Sequence, residues 1–237
     1  MTSSLRFPFT LRLLGIAGWL LFAVSSAQVT TLPDYLTQAL TRLTSDAPHG
    51  WAYTVATTRD DEHSVERYDP SRPKGGEWTL LSRNGRAPDA DEIQRYLRYK
   101  ASNAPTTARA SFQKGDIDVG SLALLREENG LAVFRGRFRE DANEPLLAHV
   151  VLDLTVDPAR ASVVEAVLRL AAPFSPALGV RMHELTLTMS FQEAADGSVV
   201  LPHTAHSRFR GRLFFLVPIE EEMRIAYSDF VRVTPRR

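Results

Sequence analysis

The sequence predicts a mainly β, α+β fold in which a curved antiparallel sheet wraps around its own apolar face and carries two helices. Three observations predict it. Most of the chain after residue 50 alternates apolar and polar residues, as in "MHELTLTMSF", and a period of two is that of a half-buried strand. Successive runs are joined by short turn formers such as Asn84-Gly85 and Asn129-Gly130 and not by helix-length crossovers, so neighbouring strands run antiparallel. Only two segments carry the three-and-four spacing of an amphipathic helix, too few to cover a flat sheet of about nine or ten strands.

The chain opens with Arg6 and Arg12, the apolar run Leu13 to Val24 and the small residues Ser25, Ser26 and Ala27. That order is expected of a secretory signal peptide spanning 1-27 and cleaved after Ala27. The apolar run of 12 residues is shorter than the ~20 a spanning helix needs. The expected mature chain, 28-237, is then a single domain of 210 residues with net charge −2 and no stable membrane span. Such a chain lacks the concentrated basic footprint of a nucleic-acid binder. With no cysteine, it forms no disulfide and takes no thiol-linked lipid, so its stability rests on an apolar core.

The first helix is expected in "LPDYLTQALTRLTSD", where Leu32, Leu36, Ala39, Leu40 and Leu43 share a face and Pro33 sits in the first turn. The second runs from Asp89 to Ser102, with Asp89 as cap and Glu92 three residues on, an acidic capping box. In the later strands Leu185, Leu187, Met189 and Phe191 point one way and Glu184, Thr186, Thr188 and Ser190 the other, while Val164, Ala166, Leu168 and Leu170 form a second apolar set. One face is therefore apolar and the other wet. A partly filled concave apolar face is a ligand cavity, with Val164, Leu168, Leu185, Leu187, Met189 and Ile225 as its expected lining. The second helix is its expected lid, resting on the sheet through Ile93, Tyr96 and Leu97.

Catalytic signals are absent from the pattern. The charged stretch His63 to Pro88 places His63, Val65, Arg67 and Asp69 on one face and Glu62, Ser64, Glu66 and Tyr68 on the other, so its charges do not converge as a reaction requires. His203 and His206 fall on opposite sides of a regular strand and close on one ion only if a bulge intervenes. No G-x-S-x-G turn or phosphate-binding glycine loop occurs, and the expectation is a non-enzyme without cofactor or metal. The apolar run Leu213 to Val217, ended by Pro218, and Phe174 in its proline-flanked loop have two readings: strand ends tucked into the core, or an apolar rim where a lipid or partner enters.

An export signal, one amphipathic helix, strands, a short helix and long antiparallel strands ending in "AYSDFVRV" together resemble the LolA/LolB-like superfamily of exported lipoprotein-sorting proteins. The resemblance runs from about Leu32 to Val233 and is closest over Val163 to Phe191 and Arg224 to Val233. It implies an incomplete β-barrel whose open side is covered by helices, and an apolar cavity that shelters acyl chains. It also implies a periplasmic location and a role in binding or carrying lipid or lipoprotein acyl chains. The alternative role is a non-catalytic scaffold with a filled core that binds another envelope protein. No family site residue maps onto particular positions of this chain.

Overall fold

The computed structural model describes residues 32–43, 50–102, 114–142, 145–214 and 216–234. The expected signal peptide, 1-27, lies outside the described residues. Residues from Leu32 onward form one compact unit. Its elements are α1 (Asp34–Arg42), β1 (Trp51–Arg59), β2 (Glu62–Tyr68), β3 (Trp78–Arg83), α2 (Ala90–Ser102), β4 (Ala123–Glu128), β5 (Leu131–Arg137), β6 (Val150–Asp157), β7 (Ser162–Leu170), β8 (Phe174–Ala177), β9 (Val180–Glu193), β10 (Val200–Leu213) and β11 (Val217–Arg232).

The strands form one 11-stranded sheet in the order β3-β2-β1-β11-β10-β9-β7-β6-β5-β4, with β8 added beside β9. Every strand pairing is antiparallel. The barrel is incomplete, because β3 and β4 end the sheet without pairing to each other. The succession departs from a simple meander at three places, the first being that β7 pairs directly with β9 past β8. The N-terminal strand β1 pairs with the last strand β11, and the stretch containing α2 carries the chain from the β3 edge to the β4 edge. Positive φ at Asn84 and Gly85 and at Asn129 and Gly130 makes both Asn-Gly pairs tight hairpin turns of the kind that match strand twist.

Register keeps one face apolar across the sheet. Ile225, Ala205, Met189, Ala166, Leu154 and Phe134 form a continuous cross-strand row from β11 to β5. The adjacent row runs Met223, Ser207, Leu187, Leu168 and Leu152. On the opposite face Asp153 accepts hydrogen bonds from Arg135 (2.7 and 2.9 Å) and Arg169 (2.6 Å).

Helix α1 seals the β5 to β9 part of the apolar face, packing on β7. Leu36, Ala39 and Leu43 are fully buried in the main core, and Leu32, Leu40 and Tyr35 pack against it, as the spacing requires. Its last turn is pinned by Arg42, which donates to the Arg160 carbonyl (2.8 Å), the Gly197 carbonyl and the Glu193 carboxylate (both 3.0 Å). A cation there also complements the helix dipole.

Replacing Asp153 with asparagine tests the polar face. Hydrogen bonds and charge from Arg135, then Arg169, hold the Asp153 carboxyl below its ordinary range. Stability from a depressed carboxyl is fully present above its unfolded value and disappears as pH falls through the folded one. Asp153→Asn should therefore melt below wild type at neutral pH, and the two melting curves should converge in acid, once pH falls through the lowered folded value.

Candidate ligand-binding face

The apolar face is covered unequally. Under α1 the rows are dry: Met189, Ala166, Leu154 and Phe134 in one, Leu187, Leu168 and Leu152 in the other. Towards β11 and β1 the same rows become half-buried at Ser207, Met223, Ile225 and Thr57, and Phe209 is likewise half-buried beside Leu185. Beyond them, on β1 to β3, the face is aromatic. Tyr53 lies 5.2 Å from Tyr68 and 5.6 Å from Phe230, and Tyr68 lies 5.0 Å from Trp78, ring centre to ring centre. A floor of Phe209, Met223, Ile225, Ser207 and Thr57 thus separates the core under α1 from the aromatic group under α2.

The positions expected to line a cavity divide accordingly. Leu168, Leu185, Leu187 and Met189 share one cluster but are buried core, filled over by α1 and their neighbours. Ile225 stands at the boundary, half-buried and packed against that core. Val164 is outside it. The β6–β7 register slips between Thr155, which faces Glu165, and Val156, which faces Val163; Val164 is the extra residue of that bulge, and Val163 takes the core position instead. A bulge reverses the alternation beyond it, and strict alternation from sequence misses it.

Helix α2 sits over β2 and β3, but not on its apolar stripe. The expected capping box forms: the Glu92 amide donates to Asp89 Oδ1 (2.8 Å) and the Asp89 amide to Glu92 Oε2 (3.0 Å). Arg86 then donates twice to the same carboxylate, at 2.7 and 2.8 Å. These bonds hold Glu92 ionised, with its pKa lowered first by Arg86, and draw it inward as the helix's buried residue. A residue four positions on shares its face, so Tyr96 and Lys100 turn inward with it. The Tyr96 hydroxyl donates to Glu66 (3.2 Å), and Lys100 Nζ donates to Glu66 (2.7 Å) while lying 3.9 Å from the Trp78 ring centre. Ile93 and Leu97, one residue further round, remain 39% and 37% exposed. The hydrogen bonds from the helix to the sheet are thus made by Tyr96 and Lys100, while Glu92 ties the start of the helix to Arg86 and Asp89.

The remaining polar candidates stay apart. The β10 register slips between Pro202 and Thr204, supplying a bulge beside His203, yet His206 bonds to Glu222 at 3.0 Å. No cluster of three or more metal-ligating side chains occurs among the described residues. A shallow groove of about 490 Å³ over β1, β2, β10 and β11 is lined by Thr58, His63, His206 and Arg224 and also by Ala205 and Ile225 of the apolar row. No helix among the described residues is long and apolar enough to cross a membrane.

No family of sequences matches the chain, and no curated protein sequence is significantly similar to it. Among solved structures it is similar to a LolA superfamily protein from Nitrosomonas europaea, at 14% identity and a TM-score of 0.36, over 86% of this chain and 93% of that one.

The contact between α2 and the sheet is testable. Glu66→Gln removes the charge that Lys100 and Tyr96 share, so amide exchange over 90–102 should accelerate while β6, β7 and β9 keep their protection. Equal acceleration throughout would mean that the pair holds the whole fold and not the helix.

Proposed function

We propose that this protein is a non-enzymatic binder or carrier of single acyl chains, from lipid or lipoprotein, in the periplasm. One observation carries the reading: the apolar face continues past the part that α1 seals, leaving the half-buried floor of Phe209, Met223 and Ile225 between two separately covered ends. Each buried methylene contributes about 0.8 kcal/mol, and micromolar binding needs about 8 kcal/mol, so about ten methylenes laid on such a floor suffice. In this reading α2 is the lid. Its hydrogen bonds to Glu66 hold it in place, and the partly exposed Ile93 and Leu97 beside those bonds supply apolar surface for the chain to lie against.

A second reading has its own observation. Leu168, Leu185, Leu187 and Met189 are closed over by the protein's own side chains, which favours a scaffold with a filled core that binds another envelope protein. Titration with a fluorescent fatty acid, backed by native mass spectrometry of freshly purified protein, separates the two. The carrier reading expects saturable uptake that Leu97→Asp weakens about tenfold, the order of a lost apolar contact, with stability changed by less than about 0.5 kcal/mol because the side chain is at the surface. Leu187→Ala should instead lose about 2–5 kcal/mol of stability as a core truncation. Protein that never carries lipid and takes up no probe supports the scaffold.

A further inference from the structure

The sheet does not end evenly. At one end β1 stops at Arg59 opposite Met223, and the Asp60 amide still reaches the Glu222 carbonyl. Beyond that point β11 continues through Val217–Glu221 without β1 beside it, about 17 Å of strand at about 3.4 Å per residue. With β10, β9 and the short β8 it makes a projecting ribbon that ends in two neighbouring turns. The turns touch. The Phe214 amide donates to the Gly179 carbonyl, and the Phe214 ring lies so close over Gly179 that a Cβ there would meet it at 2.7 Å; with φ of +79°, that position is suited to glycine on two counts.

The side chains displayed at this tip are apolar and face water: Leu178 is 99% exposed, Leu216 84%, Phe214 65% and Val217 55%. Within the run, Leu213 is half-buried, and Phe214, Leu216 and Val217 are not tucked into the core. Single exposed apolar residues need no explanation, but a contiguous group at a projecting end marks a contact surface. The first charges behind it are Arg181 and Arg212, directly opposite each other on β9 and β10, and neither has an acidic partner among the described residues. Like charges placed opposite one another destabilise a strand pair unless an anion sits between or in front of them. The acids that follow are engaged: Glu184 and Glu220 with Arg210, Glu221 with Arg59. Both edges of the ribbon carry a proline, Pro176 in β8 and Pro218 in β11, which removes backbone donors and disfavours a partner that would add a strand.

We infer that the paired turns displaying Leu178, Phe214, Leu216 and Val217 form a docking tip for an anionic lipid surface, the apolar side chains entering the headgroup boundary while Arg181 and Arg212 meet lipid phosphates. The chemistry is that of interfacial anchoring, in which apolar insertion and cationic attraction act together. The inference is independent of whether an acyl chain occupies the floor between α1 and α2, since the tip needs no cavity.

The absence of cysteine allows a single environment-sensitive fluorophore to be placed on the full chain through Leu216→Cys at the tip, or through Ala195→Cys at the exposed β9–β10 turn, the opposite end of the same hairpin. With phosphatidylcholine vesicles containing phosphatidylglycerol, emission at position 216 should rise and shift to the blue while position 195 stays unchanged. Adding Arg181→Gln with Arg212→Gln should raise the lipid needed for half-maximal signal about twenty-fivefold, each cation near an anionic surface contributing about fivefold; high salt should act in the same direction. Leu178→Asp should abolish the response, with melting unchanged because that side chain touches only solvent. Equal responses at 216 and 195, a silent position 216, indifference to the arginine substitutions, or a signal at 216 that grows with protein concentration without vesicles would each overturn the inference, the last by making the tip a contact between copies.

Discussion

Everything else in this fold depends on the cross-strand register that carries one apolar row from Ile225 through Met189 and Leu154 to Phe134. Because side chains alternate with a period of two, a slip of one residue at any of those pairings would move a whole strand's apolar set to the wet face. The register holds at β9, where Leu185, Leu187, Met189 and Phe191 all enter the core, and it gives α1 a continuous surface to seal. The sealing is incomplete by geometry. A helix of nine residues is about 14 Å long, whereas strands about 4.8 Å apart make an eleven-strand sheet several times wider. One such helix closes one part of the face and leaves the rest to other means.

Those other means are polar. On the β1 to β3 side the aromatic group of Tyr53, Tyr68 and Trp78 is covered by α2 through Glu66, Tyr96 and Lys100, not through leucines. A hydrogen-bonded ion pair of this kind is directional: it sets how the helix is rotated but contributes less than a sealed apolar contact of the same size. The two ends of the face thus differ in kind, one dry and tightly packed, the other oriented by a few bonds that water can replace. A site that must admit and release an apolar ligand needs that difference in local stability.

Much of this was legible in the sequence. The period of two, both Asn-Gly turns and the spacing of Leu36, Ala39 and Leu43 each report a local rule that the fold obeys. The Asp89 and Glu92 capping box was legible too, yet its consequence was not, since the rotation of α2 is set by Arg86 joining that box from outside the helix and by Glu66 lying across from Lys100. Val164 was misplaced because a bulge is a property of two strands together and leaves little trace in either. The extent of the cavity was overread at Leu168, Leu187 and Met189 because alternation identifies which face is apolar and is silent on what covers it. The apolar run at Leu213 to Val217 left two readings open, a tucked strand end or an apolar rim, and what separates them is the pairing of β1 with β11, which ends at Met223 while β10 and β11 run on to Leu213 and Val217.

The central claim is that the usable apolar surface is the floor between the two helix-covered ends and not the interior under α1. Photocrosslinking with a fatty acid that carries a diazirine along its chain, followed by peptide mapping, tests it most directly. The account predicts adducts on Phe209, Met223 and Ile225, competed away by unlabelled fatty acid. Adducts on Leu168 or Leu187 beneath α1, or no competed adduct anywhere on the apolar face, would contradict it.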